Sequence, residues 1–461
     1  MDLGKDNLLG LLMKFSVPAI IGMLVNALYN MVDRIFISYG VGSNAFSSLS
    51  VTGPLMNILI AFNLLVGIGA AASISIKLGE GDKEEAERIL ANAFLMLFLT
   101  SFIVMFLGLL FLEPILYIFG ASKEGTIGYA MDYMKIILYG FPFATVGFGL
   151  YHMTRASGQP TKAMFSMILG AALNVALDAV FIFGFHLGIK GAAYATIISQ
   201  AVSMIFVLYF FVNKKSELRL RLKNLKPKRK TLARIYAIGL SPFITQLAAS
   251  GVGAFANNLL LFYGGDDAIG AFGAVNMVTM LFFMPILGMN QGAQPVLGFN
   301  YGAKKYNRVK KALFYTIMIA CGIGVLGFIF TTAFSYEVIN MFTNGHEGIN
   351  MYAVPALKTI MFLFPFAGMQ IAGSVFFQAL GKAKTALFLS MLRQVILLIP
   401  LYYILPHFFG IEGIWYSIPI SDGIAFIITM LVLYLGLRSL KKEELEITGN
   451  TETLSNSLPI V

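Results

Sequence analysis

Four polar residues within long apolar segments could together bind a cation: Asp33, Asn174, Asp178 and Thr196. Asn174 and Asp178 are four residues apart and therefore share one face of a helix. At about 1.5 Å per residue from the nearest helix end, Asp33, Asp178 and Thr196 would all lie ~9 Å below the same membrane surface. Two carboxylates, an amide and a hydroxyl offer oxygen ligands for Na⁺, and adjacent carboxylates can instead share one proton. The sequence therefore predicts a buried cation-coupling site.

The alternative is that each of these polar side chains only bonds neighbouring backbone or packs helices together. The cost of ionised groups in a membrane argues for a function. An Asp at the bilayer centre costs roughly 2.5–3.5 kcal/mol on insertion scales, and such residues normally face a protein interior or a watery cavity. We therefore interpret the set as functional.

The composition indicates a membrane protein. Of the 461 residues, 58% are hydrophobic and only 12% are charged, whereas soluble domains have about 25% charged residues. Apolar runs of roughly 20 residues suit membrane-spanning helices, and they exceed the roughly ten-residue strands of membrane barrels. The chain is predicted to be an all-α polytopic membrane protein.

Twelve membrane-spanning helices are predicted. Those of the first half are 14–39, 45–76, 88–112, 127–154, 161–185 and 190–213. Those of the second half are 233–263, 268–299, 309–334, 352–379, 385–406 and 413–437. The residues after Leu445 are polar, and we expect them to be disordered.

The charges of the loops predict the orientation. The stretch 214–230 holds nine Lys or Arg residues, and further basic loops alternate with acidic ones. The positive-inside rule places the basic loops in the cytoplasm. We therefore expect a multi-pass protein of the cell (inner) membrane with both termini cytoplasmic. Because these loops account for the net charge of +10, no nucleic-acid partner is expected.

An internal repeat organises the chain. Pro18 recurs as Pro242, and Phe141-Pro142-Phe143 recurs as Phe364-Pro365-Phe366, about 223 residues later. The near-constant offset predicts two six-helix halves in the same orientation, related by a pseudo-twofold axis along the membrane normal. The predicted units are an N-terminal lobe with the cation site (1–213), a basic cytoplasmic linker (214–230), a C-terminal lobe (231–440) and a polar cytoplasmic tail (441–461).

The four candidate residues are confined to the first half. Their repeat partners, in order, are Asn257, Leu397, Leu401 and Ile418. A scaffold role would affect both halves alike, so this asymmetry favours a functional role.

A second ionisable pair is confined to the second half. Arg393 lies in the predicted eleventh helix and Asp422 in the twelfth. Membrane charges usually pair with one another, so we expect a buried ion pair between these helices. The alternative is that one of the charges faces the substrate.

The sequence contains no recognisable catalytic constellation. Its four histidines are scattered, without spacing for a metal site or a triad, and there is no Walker-type phosphate loop. We therefore expect no enzymatic activity, no cofactor apart from a coupling ion (Na⁺ or H⁺), and no metal other than Na⁺ at the four-residue set.

Taken together, these features resemble the multidrug and toxic compound extrusion (MATE) family, in its prokaryotic branch. The resemblance rests on the six-plus-six repeat, on Pro18 with Asp33 fifteen residues later, and on Asn174-x-x-x-Asp178 with Thr196 eighteen residues further on. It covers about residues 8–440. The family likeness implies a monomeric antiporter in the lipid bilayer that exports bulky, often cationic small-molecule drugs in exchange for Na⁺ or H⁺.

The resemblance also implies roles for individual residues. Asp33, Asn174, Asp178 and Thr196 would form the cation site, and Pro18 would allow the first helix to bend. The residues expected to line the substrate cavity are Asn26, Tyr29, Met167, Gln246, Asn257, Arg393 and Asp422. Some family members have acids in helices 7 and 10; this chain has none there, which favours coupling through the N-terminal lobe.

Two other functions compete with the antiporter. A flippase or exporter of lipid-linked precursors would share this architecture. Such a protein would need several Arg or Lys side chains in its cavity to bind pyrophosphate. Arg393 is the clearest candidate for such a side chain, which argues against a flippase. A membrane-embedded enzyme would need a nucleophile with a base, or a metal set. We expect the antiporter to work by alternating access, with the halves rocking or the first helix bending near Pro18.

Overall fold

The computed structural model describes residues 2–123, 125–213, 216–343 and 345–455, without the side chains of residues 43, 44, 46, 222 and 447–455. Lys214 and Lys215 of the predicted linker and residues 456–461 of the predicted tail lie outside the described residues. Within the described ranges the secondary structure is helical, with no strand, so the predicted all-α fold class is confirmed.

The first half contains six long helices. They are α1 (Leu8–Gly40), α2 (Ser43–Gly79), α3 (Lys83–Leu110), α4 (Ile127–Ala156), α5 (Pro160–Asp178) and α6 (Ile189–Val212). Capping sets several of the boundaries. The Asn7 side chain accepts hydrogen bonds from the amides of Leu9 and Gly10, which starts α1 six residues before the predicted residue 14.

The second half repeats the arrangement. Its helices are α7 (229–264), α8 (266–302), α9 (Tyr306–Ala333), α10 (Glu347–Met361 with Phe364–Ala379), α11 (Ala383–Phe409) and α12 (Ile411–Ser455). Helices α7 and α8 belong to one run that is broken at Gly265, whose φ of 67° suits glycine. The two parts of α10 meet at 53°, next to Pro365. If the run 229–302 is divided at Gly265 and the bent pair in α10 is counted as one span, the described residues contain the predicted twelve spans.

Several details differ from the predicted helices. Short helices Leu112–Ile118 and Ser335–Thr343 cover the loops before α4 and α10. Helix α5 continues as a π-helix over Ala179–Gly184, and α11 contains one at Leu392–Leu398; such segments are frequent at functional sites. The predicted disorder after Leu445 was wrong as far as Ser455, because α12 continues to that residue.

The hydrophobic cores do not follow the repeat boundary. We call the side that holds residues 2–7 and the linker the basic side, and the opposite side the acidic side. On the basic side, Leu8, Leu11, Leu12 and Phe15 of α1 pack in a core whose other helices belong to the second half. Conversely, Ile235 of α7 packs in a core of the first half. Nearer the acidic side, each of these helices packs within its own half. Ile37 of α1 lies in a core of the first half, and Val252 of α7 lies in a core of the second half.

The halves meet through closely packed small residues on the basic side. A Cβ on Gly239 of α7 would lie 1.6 Å from the Leu65 carbonyl oxygen of α2, and one on Gly79 would lie 2.0 Å from the Phe299 carbonyl oxygen of α8. Glycine permits this approach of backbones in membranes. The seam extends up to mid-depth, where Gln246 Nε2 donates to Asn57 Oδ1 at 3.3 Å. In this structure the two halves are therefore joined along the basic side.

Candidate cation site in the first half

The four predicted site residues come together from three helices. Asp33 lies in the acidic-side third of α1, Asn174 and Asp178 end α5, and Thr196 lies in the second turn of α6. The exposed fractions are 7% for Asp33, 1% for Asn174, 0% for Asp178 and 6% for Thr196. All four side chains are therefore buried within the first half.

Direct contacts link the four side chains in pairs. The carboxyl groups of Asp33 and Asp178 lie close enough to share a hydrogen bond. Asn174 Nδ2 donates to Thr196 Oγ1 at 3.4 Å. A proton on either carboxyl group would complete the Asp33–Asp178 contact, and without one the two charges repel.

Several oxygens in this cluster have no donor. Asp33 Oδ1, Asn174 Oδ1 and both carboxylate oxygens of Asp178 are buried and accept no hydrogen bond from any described residue. Buried polar atoms in native proteins are normally satisfied. Oxygen atoms from carboxylates and an amide are ligands suited to a hard cation. The donor set therefore fits either Na⁺ or a proton shared between the carboxylates.

Tyr133 of α4 completes the cluster and was not predicted. Tyr133 is 5% exposed; its hydroxyl lies within hydrogen-bonding reach of Thr196 and within electrostatic range of both carboxylates. The comparison of halves would have found it, because its repeat partner is the buried Ala356. A phenol hydroxyl can donate to a carboxylate or accept from a hydroxyl, so Tyr133 can stabilise the site in either ionic state.

Some of the predicted cavity-lining residues lie near the cluster. Tyr29 is close to Asp33 and Asp178 and interacts with Asn26, whose side chain accepts from Asn30 Nδ2 at 3.3 Å. Met167 of α5 packs on α1, since a Cβ on Gly22 would lie 2.9 Å from its sulfur. Tyr29 and Asn26 therefore lie on the side of the carboxylates, whereas Met167 contacts α1 at Gly22, about three helical turns from Asp33.

Other predicted lining residues lie in the second half. Gln246 is engaged at the seam with Asn57, and Asn257 is exposed on α7. Arg393 Nε lies 2.5 Å from Asp422 Oδ1, and Ser421 Oγ donates to the Arg393 carbonyl oxygen at 2.8 Å. The structure therefore forms the expected ion pair between α11 and α12, separate from the four-residue cluster.

A buried arginine where the two halves meet was also not predicted from the sequence. Arg155 of α4 is 1% exposed; its Nη1 donates to Gln291 Oε1 of α8 at 2.9 Å, and its Nη2 lies 3.0 Å from His152 Nδ1. Its repeat partner is Gln378, so comparing the halves at every position would have revealed it. Arg155 therefore joins the two halves through the amide side chain of Gln291.

Solved structures of transporters resemble the whole chain. A structure of MATE in the bent conformation matches with a TM-score of 0.91 and 27% identity, over 96% of this chain and 98% of that chain. An outward-facing multidrug resistance MATE family transporter of the MOP superfamily matches with a TM-score of 0.90 and 27% identity, over 95% of this chain and 98% of that one. The fold is therefore that of these transporters.

Two curated relatives are similar over nearly their full length. The multidrug export protein MepA of Staphylococcus saprophyticus is 28% identical over 426 residues, which is 92% of this chain and 93% of that protein. MepA of Staphylococcus aureus strain MSSA476 is 28% identical over 424 residues, with the same coverage.

A family model matches each half of the chain separately. The MatE model covers residues 18–180 and again residues 242–404. The first match contains Asp33, Asn174 and Asp178. Because the two matches together span most of the chain, and because the fold agrees, this protein is a multi-pass membrane transporter that belongs to the MatE (MATE) family.

Proposed function

We propose that this chain is a secondary active multidrug efflux antiporter. It exports bulky, often cationic organic compounds in exchange for Na⁺ or H⁺ by alternating access, as a monomer. The supporting observation is the group of unsatisfied buried oxygens around Asp33 and Asp178. The relatives named multidrug export proteins support the substrate class.

The orientation follows from charge. The basic side carries both ends of the described chain and the linker, so the positive-inside rule makes it cytoplasmic. With the halves joined along that side, the cation site lies toward the outside, where Na⁺ or protons enter. The protein then belongs in the cell (inner) membrane.

Ion binding changes the energy of the cluster. Without a cation, Asp33 and Asp178 repel each other across a water-poor site. A proton or Na⁺ removes that repulsion and lets α1, α5 and α6 pack together. An ion shifts a conformational equilibrium only through different affinities for the two states. A drug that binds the state disfavoured by the ion is thereby exchanged for it.

The flippase alternative is less well supported. Arg393, on which that alternative depends, is engaged by Asp422. A cation already paired in this way is poorly placed to bind pyrophosphate.

Transport by the purified protein in liposomes tests the proposal. We expect uptake or release of a fluorescent lipophilic cation when either a Na⁺ or a proton gradient is imposed alone. The gradient that drives transport identifies the coupling ion. Transport that responds to neither gradient would refute the antiporter, and movement of a lipid-linked pyrophosphate probe instead would favour the flippase.

The two helix prolines provide a further prediction. Pro18 removes one backbone hydrogen bond and weakens α1 locally, and α1 holds Asp33. Pro242 does the same in α7, which has Asn257 at the matching position. We expect Pro18→Ala to lower ion-driven export about tenfold, and Pro242→Ala to change it less than about twofold. The reverse order in the liposome assay would show that α1 is not the moving element.

A further inference from the structure

Helix α1 belongs to both halves at once. Its residues from Leu8 to Phe15 pack in the basic-side core of the second half. Its outer part packs in the first half through Ile37 and holds Asp33. Pro18 lies three residues after Phe15, within the last turn that contacts the second half: a Cβ on Gly288 of α8 would lie 2.7 Å from Ile20 Cα. A helix that is fixed in two bodies must bend between them if those bodies rotate.

A clamp of polar side chains fixes the start of α1 to the second half. Asn300 Nδ2 donates to the Leu3 carbonyl oxygen at 3.1 Å, and Lys305 Nζ donates to that of Gly4 at 2.9 Å. Arg308 of α9 donates to the carbonyl oxygens of Leu3 at 3.3 Å and Asp6 at 2.8 Å. We call residues 3–6 with these three side chains the N-terminal clamp.

Arg308 is itself held in place. Its Nε donates to Asn300 Oδ1 at 3.0 Å, so the two side chains brace each other while they bind residues 3–6. Leu3 is buried at 9% exposure in the same core as α1. Hydrogen bonds from charged donors to carbonyl oxygens are stronger than those from neutral donors. The clamp is therefore a specific attachment between the segment before α1 and the hairpin of α8 and α9.

The repeat contains a counterpart with different chemistry. Glu85 of α3, about 223 residues before Arg308, accepts from Thr231 Oγ1 at 3.2 Å and lies 3.8 Å from Lys228 Nζ. It attaches the start of α7 to the first half, just as Arg308 attaches the start of α1 to the second. Helix α7, however, has Asn257 where α1 has Asp33, so of these two attachments it is the Arg308 attachment that acts on the helix with the coupling carboxylate.

We infer that the N-terminal clamp transmits the ion-driven change at Asp33 to the second half, with Arg308 as its positioning residue. This inference rests on the proposed antiport function. With its base fixed, any tilt of α1 imposed by the ion must displace the second half. Without the clamp, α1 is still held to the second half by the packing of residues 8–15 and by the hydrogen bond from Ser16 Oγ to the Met289 carbonyl oxygen. Its start can then shift, and less of its tilt reaches the second half. The clamp acts on coupling and leaves ion and drug binding intact.

Variants of the full-length chain in liposomes test the inference, with ethidium as the cationic probe. Arg308→Ala should lower gradient-driven export about tenfold, the change expected when one strong interaction is lost from an equilibrium. The ethidium concentration at half-maximal transport should stay within about twofold. Arg308→Lys, which retains a charged donor, should recover part of the loss. Deletion of residues 2–6 should reproduce the loss if Arg308→Ala folds poorly.

A distance measurement separates a coupling role from a purely structural one. Spin labels at Lys123→Cys and Glu337→Cys, in a Cys321→Ser background, report the separation of the halves on the acidic side. The driving ion should shift this distance in the otherwise unmodified chain. Arg308→Ala should abolish the shift, and the matched variant Glu85→Gln should keep it.

The two possible failures are distinguishable. If ion gradients do not drive export by the unmodified chain, the antiport function fails, and the inference fails with it. If they do drive it, and Arg308→Ala and the deletion both retain export and the distance shift, only the inference is overturned. Equal losses in Glu85→Gln and Arg308→Ala would also overturn it, because they would indicate a general structural role of both attachments.

Discussion

Replacing Asp33 with Asn should reduce gradient-driven export about a hundredfold, near the upper end of couplings between two sites, while the protein remains folded. Asn keeps the size of the side chain but removes the charge that Asp178 faces. The cluster then resembles the ion-bound state permanently, so a gradient no longer changes the balance between conformations. Transport of a fluorescent cation in liposomes measures the loss, and size-exclusion profiles with thermal unfolding confirm folding.

The neighbouring carboxylates refine this prediction. Asp178→Asn should cause a similar loss, and the double variant should be little worse, because residues that act as a unit are strongly non-additive. Asp132→Asn is the matched control: Asp132 is 46% exposed and lies 3.3 Å from Lys190 Nζ, so export should change less than about twofold. Full gradient-driven export by Asp33→Asn would rule out the proposed coupling role.

Removing one partner of the Arg393–Asp422 pair should strongly destabilise the protein. The side chain of Asp422 is 3% exposed and that of Arg393 is 20% exposed. Loss of one member leaves the other charge buried and unpaired. We expect Arg393→Met or Asp422→Asn to cost about 3 kcal/mol, at the lower end of the range for buried pairs because Arg393 is partly hydrated. Denaturant unfolding in detergent measures this cost.

The double variant shows whether the Arg393–Asp422 pair stabilises the fold or binds substrate. Arg393→Met with Asp422→Asn should recover part of the stability, because neither charge remains unpaired. For comparison, Asp132→Asn should cost less than about 1 kcal/mol, as expected for an exposed pair. Single variants that unfold like the parent but lose one class of substrate would instead show that the pair binds substrate.

Much of the candidate site was predictable because membrane burial is costly for polar groups. Asp33, Asn174, Asp178 and Thr196 stand out in apolar segments, and the repeat supplies an internal reference in which their partners are mostly apolar. Helical geometry then gives each residue a depth. The helix count was predictable for the same reason, since apolar length alone defines a span. The division into units 1–213, 214–230, 231–440 and 441–461, the cavity-lining roles and the coupling role stay predictions.

Tertiary structure decided which partners these residues meet. Comparison of the halves singles out Tyr133 and Arg155, but only packing places one beside Thr196 and the other against Gln291. The crossing of α1 and α7 between the halves could not be predicted, because a repeat defines equivalent segments and leaves open which neighbour each one packs against. The attachment of residues 3–6 to Arg308 uses backbone carbonyl oxygens, which every residue has. Side-chain sequence therefore gives no sign of that contact, and only the folded arrangement of α1, α8 and α9 creates it.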